Sequence, residues 1–369
     1  MPGIAAVGHV SRETQVDTPT IEMARITDAI VSAPVGGYVV EPNIVHRVAS
    51  PIPPDQELAP PRDDERPIPR RAAPPQPVDP AHSPNVGQQD VPSATPLPRP
   101  PHARVFVVAN QKGGVGKTTT AVNLAVALAQ GGLRVLVVDL DPQGNASTAL
   151  GVEHRLGARG SYEVLLQSDS IAQDVVVSGE DARVLVLPAT LDLAGAEIEL
   201  VSQVAREKRL DKALKAYLKN HDVDYVLIDC PPSLGLLTVN ALVAAKEILL
   251  PIQCEYYALE GVTQLLRTIE IVKSDLNDEL VLSTVLLTMF DSRTKLATQV
   301  ADEVRSHFAA QTLNTVIPRS VRISEAPSYG QTVLTYDPSS IGSKTYRSAA
   351  SEIAWRGAAA GATAHSLGH

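Results

Sequence analysis

The sequence predicts an α/β fold, a doubly wound and mostly parallel sheet with helices on both faces. Apolar strand-like runs alternate with helix-like segments from Arg104 to Arg356, which is the pattern of parallel strands joined by crossover helices. Before this region, 21 of the 29 prolines lie at or before Pro101. Proline fixes φ and removes an N–H donor, so regular structure does not extend through that stretch.

These two patterns divide the chain into three parts. We predict a proline-rich disordered extension over residues 1–101, a folded domain over 102–357 and a flexible tail of small and polar residues over 358–369. The extension is either a spacer or a segment that recruits a partner, and its residues 21–40 are apolar enough to fold on one.

The first unit of the predicted sheet is a strand, a loop, a helix and a second strand. The apolar run 105–109 precedes a glycine-rich loop, and an alanine- and leucine-rich helix over 117–129 ends before Gly131 and Gly132. A second apolar run, 134–139, completes a βαβ unit.

The rest of the domain repeats this alternation, for about seven strands in all. Further strands are predicted at 184–187, 225–228, 247–251, 281–288 and 313–317, with helices at 194–218, 233–244, 258–274 and 295–308.

The glycine-rich loop predicts a phosphate-binding loop. Residues 111–119 read Gln-Lys-Gly-Gly-Val-Gly-Lys-Thr-Thr, and the backbone N–H groups of such a turn point inward around phosphate oxygens. Lys117 is expected to reach the β- and γ-phosphates, and the Thr118 hydroxyl to hold Mg²⁺. The residues expected to contact the nucleotide here are Gly113, Gly114, Val115, Gly116, Lys117, Thr118 and Thr119.

Two acidic motifs follow later strands and complete the predicted site. Asp139 and Asp141 leave the second strand, and one of them can hold a magnesium-bound water or orient the attacking water. We favour Asp141, which lies further into the loop; the alternative is an acidic cap for the next helix. The apolar run 225–228 ends at Asp229, the Walker B pattern, in which the acid lies near Mg²⁺.

Lys112 is a second lysine at the mouth of the loop. Phosphoryl transfer needs positive charge on the transferring group, and neither acidic loop contains an obvious catalytic arginine. Lys112 points out of its own loop, so we expect it to reach the phosphates of a facing second subunit. The catalytic set predicted from these motifs is Lys112, Lys117 and Asp141, and the metal-site set is Thr118, Asp141 and Asp229.

Charge and cysteine content restrict the class of protein. The formal net charge is −9, which argues against a strongly nucleic-acid-binding monomer. Cys230 and Cys254 are too few for a disulfide scaffold, and we expect both to be buried neutral thiols. With no predicted signal peptide or membrane span, we expect a cytoplasmic protein that does not bind membranes.

The motifs together resemble the ParA/MinD deviant Walker A ATPases, in particular the chromosomal ParA (Soj-like) partition proteins. The similarity rests on Lys-Gly-Gly-Val-Gly-Lys-Thr, Asp-Leu-Asp-Pro-Gln-Gly-Asn and Asp-Cys-Pro-Pro-Ser, and on the stretches 253–261, 288–291 and 317–328. It covers about residues 104–355 and leaves out the proline-rich block.

The resemblance implies a function beyond the nucleotide site. It implies an ATP-dependent homodimer that binds double-stranded DNA without sequence preference, is associated with the nucleoid, and is stimulated by a ParB-type centromere-binding protein to hydrolyse ATP and release DNA. It also implies weak basal ATPase activity, and contacts to adenine from Met289, Pro318 and Arg319.

DNA-contacting residues are less sharply indicated. A dimer doubles the number of cations on one face, which would make DNA binding depend on ATP. The candidates are Arg293, Lys295, Arg319, Arg322, Lys344 and Arg347. Each could equally be a solvated surface charge, and we favour Arg319 and Arg322 because the motif match is densest around them.

Two other functions remain open on the sequence. One is a ParA-like ATPase that positions a cargo other than the chromosome. The other is a nucleotide-gated polar scaffold that acts through residues 1–101.

Overall fold

The computed structural model describes residues 96–152, 157–168, 170–255, 258 and 260–366. The predicted N-terminal extension therefore lies outside the described residues, apart from 96–101. Those six residues belong to the fold: the Leu97 amide donates to the Gly131 carbonyl at 2.9 Å, and the Leu97 side chain fills the space where a Gly131 Cβ would lie. Contacts with the folded domain thus begin slightly before the predicted boundary at 102, although the first strand begins at Arg104.

The described residues form one sheet of eight strands. The strands are β1 (Arg104–Val108), β2 (Val135–Asp139), β3 (Val176–Val177), β4 (Val184–Leu187), β5 (Tyr225–Asp229), β6 (Glu247–Gln253), β7 (Val281–Phe290) and β8 (Thr312–Pro318). Their order is β3-β4-β2-β5-β1-β6-β7-β8. The pairing is parallel except between β3 and β4, which confirms the predicted fold class. The two-residue strand β3 was not predicted, because so short a run has no period.

Helices cover both faces of this sheet. They are α1 (Lys117–Gln130), α2 (Asn145–Ala149), α3 (Ile171–Asp174), α4 (Leu193–Leu200), α5 (Arg209–Asn220), α6 (Leu236–Ala244), α7 (Glu260–Asp275), α8 (Lys295–His307), α9 (Val321–Glu325), α10 (Val333–Tyr336) and α11 (Ile341–Ser366). Helices α1, α10 and α11 pack on one face of the sheet, and helices α4 to α8 pack on the other. Because both faces are covered, β2 and β5 are buried along their whole length.

The predicted helix over 194–218 is wrong in one respect. The chain breaks it into α4 and α5, with a 3₁₀ turn at Arg206–Lys208 between them. Ala205 has φ 51°, in the left-handed region, and a residue in that conformation cannot continue a right-handed helix.

The last helix, α11, was not among the predicted helices, and it runs past the predicted end of the folded domain. Regular structure was expected to end near residue 357, but α11 continues to Ser366. Residues 357–364 are mostly alanine, the strongest helix former, and this outweighs the two glycines among them. No helix in the described parts of the chain is both long and apolar enough to cross a membrane.

Helix α11 also covers the outer edge of β8. The Glu352 carboxylate accepts the amides of Asn314 and Thr315 at 2.9 and 3.1 Å. Arg356, which pairs with Glu352 at 2.7 Å, donates to the carbonyls of residues 310–312. Backbone groups along this edge are therefore hydrogen-bonded to a helix.

Candidate functional site

The predicted site residues lie where parallel strands end together. The loops that follow β1, β2, β5, β6, β7 and β8 all leave the same edge of the sheet, because these strands are parallel. In an open α/β sheet this carboxyl edge is where ligands bind. The fold therefore brings the phosphate-binding loop, both acidic motifs and the Met289–Arg319 region to one side of the molecule.

The phosphate-binding loop is open on its inner side. Gly114 and Gly116 have φ of 74° and 88°, a conformation that side chains disfavour. A Cβ built on Gly113, Gly114 or Gly116 would meet no atom within 4 Å. The loop therefore borders open space at these three glycines, and α1 begins at its end.

Two side chains outside the glycine motif fix this loop. Asn110 donates from Nδ2 to the Pro251 carbonyl at 2.8 Å, and its Oδ1 accepts the Lys112 amide at 3.0 Å. From β7, the Thr288 hydroxyl donates to the Val115 carbonyl at 2.9 Å. Sequence reasoning missed both residues. Asn110 directly precedes the motif. A polar residue between a buried strand and a phosphate-binding loop is the signal from which its role could have been predicted.

Lys117 lies inside the site. It is buried, and its Nζ donates to the Lys112 carbonyl at 3.5 Å. Burial lowers the pKa of this ammonium group, while Asp229 and Asp141 act in the opposite direction. Thr118 and Thr119, the next residues of α1, are half-buried.

Asp139 and Asp229 end neighbouring strands and are direct register partners of β2 and β5. Both are fully buried. Asp139 is completely engaged: it accepts the Asp141 amide at 3.1 Å, and the amide and hydroxyl of Ser147 at 2.8 and 2.7 Å. Burial raises the pKa of Asp139 to about 6. These bonds assign Asp139 to holding the turn and α2, and leave Asp141 as the acid of this motif that faces the site.

Asp229 has the opposite environment. Neither of its carboxylate oxygens has a hydrogen-bond partner among the described residues. Burial raises its pKa well above the usual range and Asp139 raises it further. The Thr118 hydroxyl, which lies near but outside full hydrogen-bonding geometry, and the Lys117 ammonium group act in the opposite direction. A buried carboxylate without partners is costly, and its free oxygens lie among the residues predicted to hold the metal.

Asp141 completes the inner group. Its Oδ1 accepts the Gln143 amide at 3.0 Å, and it interacts electrostatically with both Lys117 and Asp229. The structure thus brings together Lys117, Thr118, Asp141 and Asp229. The two cysteines are buried and free, as predicted, and burial raises the pKa of Cys254 to about 11.

Lys112 lies at the mouth of the site with Glu255 and Arg319. Its Nζ is 4.0 Å from one Glu255 oxygen, and the Arg319 guanidinium is 2.8 Å from the other. The Arg319 amide donates to the Phe290 carbonyl at 3.0 Å, which joins the ends of β7 and β8. Glu255 was quoted in the sequence motif without a role, because the pairing depends on the order of the strands.

The two remaining residues predicted to contact adenine sit beside this group. Met289 has φ 51°, in the left-handed region, just before the end of β7. Pro318 is the last residue of β8 and pairs with Phe290.

The predicted DNA-contacting residues differ in how they are engaged. Arg293 donates to both oxygens of Asp291, at 2.9 and 2.7 Å. Arg322 pairs with Glu325 at 3.3 Å and Asp337 at 3.7 Å. These arginines are therefore paired with acids of the same chain, as Arg319 is with Glu255.

The helix α11 candidate Arg347 faces a different neighbour. It donates to the Gln130 side chain at the end of α1 and to the Pro338 carbonyl. Lys295 and Lys344 are exposed. These hydrogen bonds and ion pairs do not link the six cations into one group, and their roles in DNA binding stay predictions.

A groove of about 400 Å³ lies away from this site, at the amino-terminal edge of the sheet. It is lined by residues that include Arg134, Arg183, Tyr217 and His221. None of the predicted site residues lines it, so it is separate from the nucleotide chemistry.

Comparison with known proteins places these features in a family. A family model described as an AAA domain matches residues 103–282. The chain is 50% identical to the sporulation initiation inhibitor protein Soj of Bacillus subtilis over 254 residues, which are 69% of this chain and 99% of that protein. It is 51% identical to the chromosome partitioning protein ParA of Caulobacter vibrioides strain NA1000 over 261 residues, covering 71% of this chain and 95% of that protein.

A solved structure agrees in fold. The Mycobacterium smegmatis protein described as cobyrinic acid a,c-diamide synthase, crystallised with ADP and magnesium, matches with a TM-score of 0.59 and 40% identity, covering 68% of this chain and 94% of that one. With this fold, the deviant phosphate-binding loop and near-complete coverage of both relatives, the chain belongs to the ParA/MinD superfamily, in the family of Soj and ParA chromosome partitioning proteins.

Proposed function

We propose that this protein is a chromosome-partitioning ATPase that binds ATP with Mg²⁺, dimerises on ATP, and binds double-stranded DNA without sequence preference. A ParB-type partner stimulates hydrolysis and thereby releases the DNA. The observation that carries the proposal is Asp229, whose two carboxylate oxygens are buried and unpaired at the edge of the sheet where the open phosphate loop also lies.

The residues present fit ATP and Mg²⁺. The free space beside Gly113, Gly114 and Gly116 accepts phosphate oxygens. The Thr118 hydroxyl and the unpaired Asp229 carboxylate supply oxygen donors, which Mg²⁺ prefers. When bound, Mg²⁺ supplies positive charge that offsets the charge of the triphosphate.

Each inner residue then has a separate part in hydrolysis. Lys117, buried in the site, holds the β- and γ-phosphates through its ammonium group. Asp141 accepts a hydrogen bond from the attacking water and so orients it for in-line attack. Asp139 keeps the loop that presents Asp141 in place, through its bond to the Asp141 amide.

Lys112 completes the charge of the site from a second subunit. About a third of its side chain is exposed, 32%, and its amide is fixed by Asn110. A facing copy would bring this ammonium group to the other subunit's phosphates, in the way that an arginine finger acts in trans. Met289, Pro318 and Arg319 would contact the adenine.

DNA binding follows from the dimer in this proposal. A monomer of net charge −9 has few free cations on the surface near the site, because Arg293, Arg319 and Arg322 are paired with acids. Two subunits side by side present twice the number of cations to the phosphate backbone.

Lysine substitutions test the arrangement of the site. Lys117→Ala should abolish ATP binding, whereas Lys112→Ala should retain most of it and lose ATP-dependent dimerisation, measured by calorimetry and analytical ultracentrifugation. Lys246→Ala is the matched control, since it removes another exposed, ion-paired lysine before β6. Normal dimerisation of the Lys112 variant would contradict a role in trans.

The dependence of DNA binding on ATP is tested with the unmodified chain. Co-sedimentation with DNA should be strong with a non-hydrolysable ATP analogue and weak with ADP. Equal binding in both states would overturn ATP-controlled DNA binding.

A further inference from the structure

Glu255 is a carboxylate that the catalytic chemistry does not use. It follows β6 by two residues, in the loop between the strand next to β1 and helix α7. One oxygen faces Lys112 at 4.0 Å and the other accepts from Arg319 at 2.8 Å. The side chain therefore bridges a cation after β1 to a cation after β8.

The two bridged cations are the ones that the proposed function needs elsewhere. Lys112 must leave its own subunit to reach a facing triphosphate. Arg319 must turn toward adenine or DNA. While both are held by Glu255, neither charge is fully available to an outside anion, because one carboxylate offsets much of the potential that they would present.

Neighbouring acids extend this arrangement along the same edge. Asp291, which directly follows β7, holds Arg293 at 2.7 Å. The hydrogen bonds from Arg293 lower the pKa of Asp291 to about 2, and the charge of Arg319 acts in the same direction. Three cations and two acids thus alternate across the ends of β1, β6, β7 and β8. Glu255 is the member that joins the phosphate loop to the rest.

We propose that Glu255 is a positioning residue that holds Lys112 within its own subunit and so opposes ATP-dependent dimerisation. This inference rests on the proposed ATP-dependent dimer and its binding to DNA. The triphosphate of a facing subunit competes with Glu255 for Lys112. Once Lys112 leaves, Glu255 pairs with Arg319 alone, so the bridge affects DNA binding only through the dimer.

The solvent exposure of Glu255 and Lys112 limits how much their ion pair can change an affinity. Glu255 is 44% exposed and Lys112 is 32% exposed, and ion pairs of this kind contribute at most about 1 kcal/mol each. Loss of the bridge should therefore change affinities by about threefold to tenfold rather than abolish a function.

The test is Glu255→Gln, with Glu325→Gln as the matched control. Glu325 is equally exposed, 43%, and pairs with Arg322, another predicted DNA-contacting arginine. It does not pair with Lys112. Both variants remove one negative charge, so any general gain in DNA affinity is common to them. DNA affinity of the full chain is measured by fluorescence anisotropy with ADP and with a non-hydrolysable ATP analogue.

Glu255→Gln should raise DNA affinity about threefold to tenfold more with the ATP analogue than with ADP, because the dimer forms more readily, so that the ratio between the two states grows. Glu325→Gln should raise both affinities alike and keep the ratio. If Glu255→Gln also keeps the wild-type ratio, the inference is wrong although the proposed function stands. If the wild type itself binds DNA equally in both states, the proposed function is wrong, whatever the result for Glu255→Gln.

A second readout is dimerisation itself. The Glu255→Gln chain should dimerise at a severalfold lower concentration of the ATP analogue than the wild type, whereas Glu325→Gln, which does not pair with Lys112, should dimerise as the wild type does. An equal gain in both variants would show a general effect of charge, which overturns the bridge.

Discussion

The ends of β2 and β5 carry two aspartates in the same row of the sheet, with opposite surroundings. Asp139 accepts three hydrogen bonds from its own loop and α2, whereas the described residues leave both oxygens of Asp229 without a partner. Burial is equal for the two. A buried acid that is fully bonded stabilises the fold, and one that is left open is held ready for a ligand at a cost in stability. The predictions below separate these two uses.

The largest effect is expected for Asp229→Asn on catalysis. Mg²⁺-dependent ATP hydrolysis should fall about 100-fold, because a metal ligand contributes several kcal/mol to charge stabilisation. The free energy of unfolding should change by less than about 1 kcal/mol or rise, since the substitution removes an unpaired buried charge. ATPase assays and urea denaturation measure the two quantities. Wild-type turnover in this variant would remove Asp229 from the site.

Asp139→Asn should have its main effect on stability. The asparagine side chain replaces one accepting oxygen by a donor, which then faces either the Asp141 amide or the amide and hydroxyl of Ser147. The free energy of unfolding should therefore fall by about 3 kcal/mol. Urea denaturation of this variant and of Asp229→Asn, measured side by side, gives the contrast. Equal stability of the two would mean that the hydrogen bonds to Asp139 are not what distinguishes them.

The pH dependence of stability sharpens the same contrast. The pKa of Asp139 is about 6 in the folded chain against an ordinary value of 3.8. The folded state therefore binds more protons between these values, and its stability relative to the unfolded chain increases as the pH falls from 7 to 4.

The contribution of Asp139 over this range is up to about 3 kcal/mol, and Asp139→Asn lacks it. The stability gap between wild type and this variant should widen on acidification, as measured by urea denaturation at pH 7 and pH 4.5. A gap that narrows would reverse the assigned direction of the pKa shift.

Much of this site was predictable because its signals are local. The glycines of 113–116, the lysine after them and the apolar run before Asp229 each indicate a role within a few residues of sequence. The strand and helix periods likewise gave the sheet, since buried parallel strands are apolar throughout.

The unpredicted features depend on contacts between distant segments. Asp139 and Asp229 read alike as acids that end apolar strands, and only the position of Ser147 in the folded loop separates them. The Glu255 bridge joins residues after three different strands, so it required the strand order. The break between α4 and α5 spans the turns after Leu200 and includes one left-handed residue, Ala205, whose type does not indicate that conformation.

The cover that α11 places over β8 has a consequence for how copies of this protein can assemble. A free edge strand is a template on which another chain can add a strand of its own. Here Glu352 and Arg356 already bind amides and carbonyls along β8, so strand addition at this edge would first have to displace the helix. Copies of this protein can therefore associate through other surfaces without joining their sheets into a continuous fibre at β8.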